Sequence, residues 1–148
     1  MEGNRITIRN SIFIAKPRTV VWDYTQNYDN RALWDNSVLE AVVLQTTPNR
    51  IVKLKLKGKT TMTFYYKMDD RPSKTSLVAK EIESAIIKSA GGSWLYEEIK
   101  EGTIWTQTNS IELKNKLFIR VLQPILKQIF IRQTKQSMKK LKSILEAQ

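Results

Sequence analysis

The chain contains no cysteine and no histidine among its 148 residues. Without cysteine there can be no disulfide, no thiolate nucleophile and no thiolate metal site, and a reducing cytoplasmic setting is the expectation. Without histidine the commonest neutral-pH general base and metal ligand is missing. Any catalysis would fall to carboxylates, tyrosines, lysines or a bound cofactor, and this absence counts against an enzyme. No apolar run approaches the roughly 20 residues a membrane-spanning helix needs. The opening Met-Glu-Gly-Asn-Arg-Ile-Thr has no basic patch followed by an apolar core, so no secretory signal is expected. Acidic residues are scarce where the chain is most basic. Pro48 to Lys67 and Lys114 to Gln148 contribute +6 and +8 to a net charge of +11, leaving the remainder at −3.

An apolar share of 41% provides a core, and 26% charged residues argues against disorder. No repeat, linker or low-complexity segment divides residues 1–148, which therefore read as one domain. Arg5 to Ile14 alternates as a first strand. Pro17 suits the first turn of a helix carrying Val20, Val21 and Tyr24. A second short helix follows from Asn27 to Trp34, closed by the turn residues Asp35-Asn36.

Strands come next at short spacing. Val38 to Gln45 leads to Arg50 to Lys57, where Val52, Leu54 and Leu56 alternate with Lys53, Lys55 and Lys57. One face of that strand is buried and the other is a row of lysines in water. Thr60 to Asp69, Thr75 to Glu83, Ser93 to Ile99 and Thr103 to Leu113 complete an antiparallel meander. A 3.6-residue apolar period runs through Leu117 to Ala147. Because proline fits N1 better than a helix interior, the main helix is placed from about Pro124 to Glu146. Lys116 to Gln123 becomes a lead-in. A long meander curls, and only this helix can cover its concave face.

Ser11 to Thr25, with Pro17 between strand and helix and Trp22 on the helix, is similar to the START/polyketide-cyclase-like (SRPBCC, helix-grip) superfamily. Trp34 to Ala41 and Met138 to Glu146 extend the resemblance in the same order over nearly the whole chain. It implies an α+β fold of about seven strands, β-α-α-β6-α, gripping the C-terminal helix over a cavity. The same fold hosts many functions, so it does not choose one.

Parity makes the candidate site. With an even-numbered turn near Lys100 to Gly102, Trp94, Tyr96 and Glu98 share a face with Trp105, Gln107 and Asn109. If that face looks inward, as the resemblance implies, it forms an aromatic wall with an amide pair. If it looks outward, the tryptophans are surface patches. Met62, Phe64, Tyr66 and Met68 share the face of Val52, Leu54 and Leu56. Core packing is the favoured role of Phe64 and Met68, and Met62 and Tyr66 are better placed to line a hollow. The expected ligand contacts are thus Met62, Phe64, Tyr66, Trp94, Tyr96, Trp105, Gln107 and Asn109.

Other clusters have plainer readings. Glu40 alternates with Val38 and Val42, but exposure at a strand start is the expectation. Asp23, Asp29 and Asp35 lie near the short helices, with Asp35 closing a turn. No carboxylate spacing suits a metal, and none is expected. Gly91-Gly92-Ser93 lacks the lysine and helix of a phosphate loop. It reads as a hairpin or bulge, and the resemblance makes Ala90 to Ser93 a candidate lid hinge. Arg132, Lys135, Lys139, Lys140 and Lys142 lie on or beside the solvent side of the last helix.

Three functions remain in play. The leading one is a cofactor-free binding protein for an apolar, aromatic or lipid-like small molecule. The second is a cyclase/dehydratase-like enzyme, with Glu98, Tyr96 and Tyr66 as its acid–base candidates. The histidine–aspartate dyads of several cyclases cannot exist here. The third is a basic-surface module for an anionic membrane or acidic partner. Nucleic acid is disfavoured, because the aromatics do not interleave with the basic positions. Oligomeric state is left open.

Overall fold

A computed structural model describes residues 4–148; the expected lack of a signal segment concerns, in part, Met1–Gly3, which lie outside that range. The chain runs β1 (Arg5–Ile14), α1 (Arg18–Thr25), a short 3-10 turn (Tyr28–Asn30), α2 (Arg31–Trp34), β2 (Val38–Gln45), β3 (Ile51–Leu56) and β4 (Thr60–Asp70). It continues through β5 (Lys74–Glu83), β6 (Ile87–Ile99), β7 (Gly102–Leu113) and α3 (Leu117–Glu146). One antiparallel sheet has the order β1-β7-β6-β5-β4-β3-β2, so β1 and β2 are its two edges. α1 and α2 carry the chain from one edge to the other. The α+β, helix-gripping architecture expected from the sequence is the one observed.

The curl has local causes. Register shifts interrupt the β2–β3, β4–β5 and β6–β7 pairings. Each such bulge adds twist and bends its strand. One lies between Tyr66 and Met68. Met68, expected to share the inner face, is exposed beyond it. Simple alternation cannot anticipate that slip. Elsewhere the pleat holds: Leu54 opposes Met62 and Val52 opposes Phe64.

α3 is longer than expected. It begins at Leu117 and carries Pro124 in its interior. The missing N–H leaves the Arg120 carbonyl without its helical donor, but both residues are exposed. Burial of Ile119 against Ile6, Ile8 and Leu113 fixes the first turn and outweighs that single lost bond. Thirty residues give α3 a length of about 45 Å. Its second half packs Met138, Leu141 and Leu145 into a cluster with Ile14, Val21, Trp22, Trp34, Tyr96 and Trp105. In α1 the buried side is Val21, Trp22 and Thr25, whereas Val20 is exposed.

The far end of α3 is tied to the β1–α1 junction. Glu146 Oε2 accepts the Ala15 N–H at 2.8 Å and the Lys142 ammonium at 2.8 Å. Lys142 Nζ also donates to the Phe13 carbonyl at 2.6 Å, so this lysine is half-buried and is not simply part of a solvated row. The Lys142 bond, with the Ala15 amide behind it, holds the Glu146 carboxyl below the usual glutamate range. Its folded pKa is depressed, so its stabilisation is present above the unfolded value of about 4.3 and is lost as pH falls through the lower folded one. Thermal melts should show Glu146→Gln less stable than the wild type at neutral pH. That gap should close in acid; a gap independent of pH would remove this account.

Candidate functional site

Between the concave face of the sheet and α3 lies a cavity of about 380 Å³. Its walls are mostly apolar. Met62 and Phe64 of β4, Leu54 and Leu56 of β3, Ile8 of β1 and Leu77 of β5 face it from the sheet, and Ile129 and Phe130 close it from α3. Its polar lining includes Arg31 and Asp35, Tyr66 of β4, and Gln107 and Asn109 of β7.

The hairpin of β6 and β7 faces inward. Trp94 opposes Gln107 and Tyr96 opposes Trp105, across a two-residue turn at Lys100-Glu101. Trp94, Gln107 and Asn109 line the cavity. Trp94 Nε1 donates to Asn109 Oδ1 at 3.1 Å, and Asn109 Nδ2 donates to Gln107 Oε1 at 2.9 Å. This relay uses the Gln107 oxygen. Its amide nitrogen bonds to none of the described residues and is left to face the cavity.

Gly92 is what lets that relay form. It pairs with Asn109, and a Cβ there would stand 2.7 Å from Asn109 Oδ1 and 3.0 Å from the Thr108 carbonyl. Gly91 and Gly92 lie inside β6, paired with Ser110 and Asn109. The expected hairpin and lid hinge at Ala90 to Ser93 are therefore replaced by continuous strand. Glycine marks a close backbone approach there, not a bend.

Tyr96 and Trp105 lie one layer deeper, away from the cavity lining. They are 1% and 0% exposed and belong to the packed cluster under α1 and α3. Trp105 packs edge-on to Trp34 at 5.5 Å and Trp94 at 5.4 Å, and stacks with Tyr96 at 6.2 Å. The Trp34 and Trp105 indole nitrogens find no acceptor among the described residues. Glu98 is exposed near the β6–β7 turn. Glu98, Tyr96 and Tyr66 are thus not assembled around one reacting position. Glu40 is exposed on the outer face, opposite Lys55.

Tyr66 does reach the cavity, within a hydrogen-bonded chain. Its hydroxyl donates to Gln26 Oε1 at 3.0 Å and makes a short bond to the Tyr28 hydroxyl. With the Tyr66 proton committed to Gln26, Tyr28 must be the donor of that bond. Gln26 Nε2 donates to the Tyr96 hydroxyl at 2.8 Å, which also bonds Thr25 Oγ1 at 2.7 Å. Arg50 donates to Gln26 Oε1 at 2.7 Å and stands 4.1 Å above the Tyr66 ring. Burial, reinforced by Tyr28, pushes the Tyr66 phenol well above its ordinary range. Burial does the same to Tyr96. Both keep their protons at neutral pH, so neither is a base there.

The sequence reading missed Arg31. It sits on α2 with 7% exposure and lines the cavity beside Trp34 and Trp94. Its Nε donates to Asp35 Oδ2 at 2.8 Å. Asp35 is fixed in turn by Ser37, whose N–H and hydroxyl it accepts at 3.1 and 2.7 Å. The guanidinium lies 4.7 Å from the Trp94 ring, 5.0 Å from Trp34 and 5.2 Å from Tyr28. Burial opposes its charge, but Asp35 and the aromatic oxygens outweigh that cost and its pKa rises. Arg31 is a permanent cation. Among the described residues its two terminal nitrogens have no hydrogen-bond partner.

A family model described as polyketide cyclase / dehydrase and lipid transport matches residues 5–146. A solved protein of Thermus thermophilus is 16% identical, with a TM-score of 0.82 over 95% of this chain and 97% of that one. The Zhui aromatase/cyclase from Streptomyces sp. R1128 is 15% identical, with a TM-score of 0.81 over 96% and 94%. A START superfamily protein from Mycobacterium smegmatis is 9% identical, with a TM-score of 0.79 over 96% and 98%. At such identities these likenesses establish the fold alone. No curated protein matches the chain in sequence.

Proposed function

We propose that this chain, which belongs to the polyketide cyclase / dehydrase and lipid transport family, binds one amphipathic small molecule in the cavity between sheet and α3. The molecule is apolar or aromatic along its body and acidic or oxygen-rich at one end. Arg31 carries this reading: it is a buried cation facing a mostly apolar cavity with terminal donors that no described residue uses. An isolated buried charge is costly, and Asp35 engages only one of its nitrogens. A ligand carboxylate, phenolate or carbonyl would complete it, with the Gln107 amide nitrogen as a second donor. Met62, Phe64 and Trp94 would hold the apolar body, and Tyr66 with Asn109 would border the polar end. The volume of about 380 Å³ lies within the usual range for small-molecule sites.

The cyclase or dehydratase alternative has weaker support. The protons of Tyr28 and Tyr66 are committed within the protein, and Asp35, the carboxylate on the cavity wall, is paired with Arg31. No metal or cofactor is needed for the binding reading. Residues 1–148 would act as one unit, and the lack of cysteine suits a cytoplasmic setting.

The test is a panel of fatty acids and aromatic carboxylates, titrated while following tryptophan fluorescence. Trp34 and Trp94 border the cavity and should report occupancy. One-to-one binding should appear and should be lost in Ala90→Trp, which fills space on the cavity wall. A cooperative melt for that variant would show that the fold survives. No binding across the panel, or binding that survives Ala90→Trp, would overturn the proposal.

A further inference from the structure

The first half of α3 is apolar on two sides. Ile119 is buried against the sheet, while Leu117, Phe118, Val121, Leu122, Ile125 and Ile129 are between 42% and 78% exposed. At about 100° per residue, these six occupy roughly two fifths of the helix circumference, away from the side of Ile119, Leu141 and Leu145. A solvated helix carries charge on that outward side. Here charge takes over only in the second half, where Arg132, Lys135 and Lys139 continue the same side and are exposed. Lys116, Arg120 and Lys127 are exposed as well, but the same rotation puts them away from the stripe, toward the side of Leu141 and Leu145. From Lys114 to Lys142 there is no acidic residue.

A contiguous exposed apolar stripe marks an interaction surface, and its chemistry narrows the partner. An apolar strip continued along the same side of the helix by cations, with no acid among them, complements a surface that is anionic outside and apolar just beneath. That is an anionic lipid bilayer, where apolar side chains enter the acyl boundary and lysines and arginines meet the headgroups. No described helix is long and apolar enough to cross a membrane, so α3 would lie along the interface. We propose that the outward face of α3, the apolar stripe from Leu117 to Ile129 with Arg132, Lys135 and Lys139 continuing it, docks the protein on an anionic membrane surface. Ile129 belongs both to this stripe and to the cavity wall. Docking here brings the bilayer against the cavity, which is the arrangement that exchange of a lipid-like ligand requires. The docking itself does not depend on what the cavity holds.

The test is co-sedimentation of the full chain with vesicles of phosphatidylcholine alone and of phosphatidylcholine mixed with phosphatidylserine. The mixed vesicles should bind the protein, less so as salt screens the exposed charges. Phe118→Ser with Val121→Ser should weaken binding about tenfold or more, and Lys135→Gln with Lys139→Gln several-fold. All four side chains are exposed, so the melting temperature should hardly move and misfolding is separable from lost docking. Ala90→Trp should bind vesicles as the wild type does, which separates this proposal from the one about the cavity. Failure of the wild type to bind mixed vesicles would overturn it. So would binding indifferent to the Phe118 and Val121 changes, which would reduce it to charge alone. A dimer in analytical ultracentrifugation that the same double variant dissociates would assign the face to a second copy and also overturn it.

Discussion

Trp105→Ala should cost about 3–5 kcal/mol of stability, the range for removing a large aromatic from a packed core. Trp105 has no exposed surface and is enclosed by Trp34, Trp94, Tyr96 and the α3 residues Met138 and Leu141. Its indole nitrogen has no acceptor among the described residues, so the loss is one of packing and not of a hydrogen bond. For a chain of this size each kcal/mol moves the melting temperature by about 2–4 °C, so the drop should be on the order of 10 °C. Trp105→Phe fills much of the same volume without an unpaired donor and should recover most of it. The measurement is thermal unfolding by circular dichroism. A ligand-wall tryptophan would behave in the opposite way, with a melt shifted by no more than a few degrees and affinity lost; that pattern would sink the packing assignment.

The same hairpin shows how far alternation reaches. Period-two parity puts Trp94, Tyr96, Glu98, Trp105, Gln107 and Asn109 on one face; the pairs Trp94–Gln107 and Tyr96–Trp105 lie on the inner face, and Glu98, nearer the turn, is exposed. Parity says which side a residue takes but not how deep it sits. Depth follows from what covers the sheet: α1, α2 and the second half of α3 fill the space over Tyr96 and Trp105, while the space beside Trp94, Gln107 and Asn109 stays open. The lysine-row strand was legible for a similar reason, because one covered face and one wet face write themselves directly into the residues of β3.

What local pattern could not show came from tertiary context. Pro124 is a good N1 residue, yet the buried Ile119 extends α3 by a further seven residues upstream of it, Leu117 to Gln123. Gly91-Gly92 resembles a turn until its partners Ser110 and Asn109 are known. The bulge after Tyr66 exposes Met68 without any mark in the sequence. Arg31 was the larger omission. Its one local signal is the four-residue spacing to Asp35, which also describes countless surface ion pairs. Its burial arises because α2 lies against Trp94 of a strand distant in the chain, and no window around residue 31 contains that fact.

Arg31→Met therefore tests the feature least visible from sequence and should have two separable effects. Asp35 would lose its cation while 15% exposed, and stability should fall by about 3 kcal/mol, because an unpaired buried charge costs more than its pair contributed. Arg31→Met with Asp35→Asn removes both charges and should restore much of that stability. Binding should respond differently. A carboxylate ligand loses a charged hydrogen bond worth about 1.5–3 kcal/mol, a tenfold or greater fall in affinity in both the single and the double variant. The methyl ester of the same ligand should lose much less. Because pairing with Asp35 outweighs the cost of burial and keeps Arg31 charged at all accessible pH values, the acid–ester difference should track the ionisation of the ligand and not that of the protein. Thermal melts of the three proteins read the stability effect, and isothermal titration of acid and ester against each reads the binding effect. Equal losses for acid and ester would mean that Arg31 shapes the cavity without recognising charge, and affinity that stays unchanged in the stable double variant would remove Arg31 from the site.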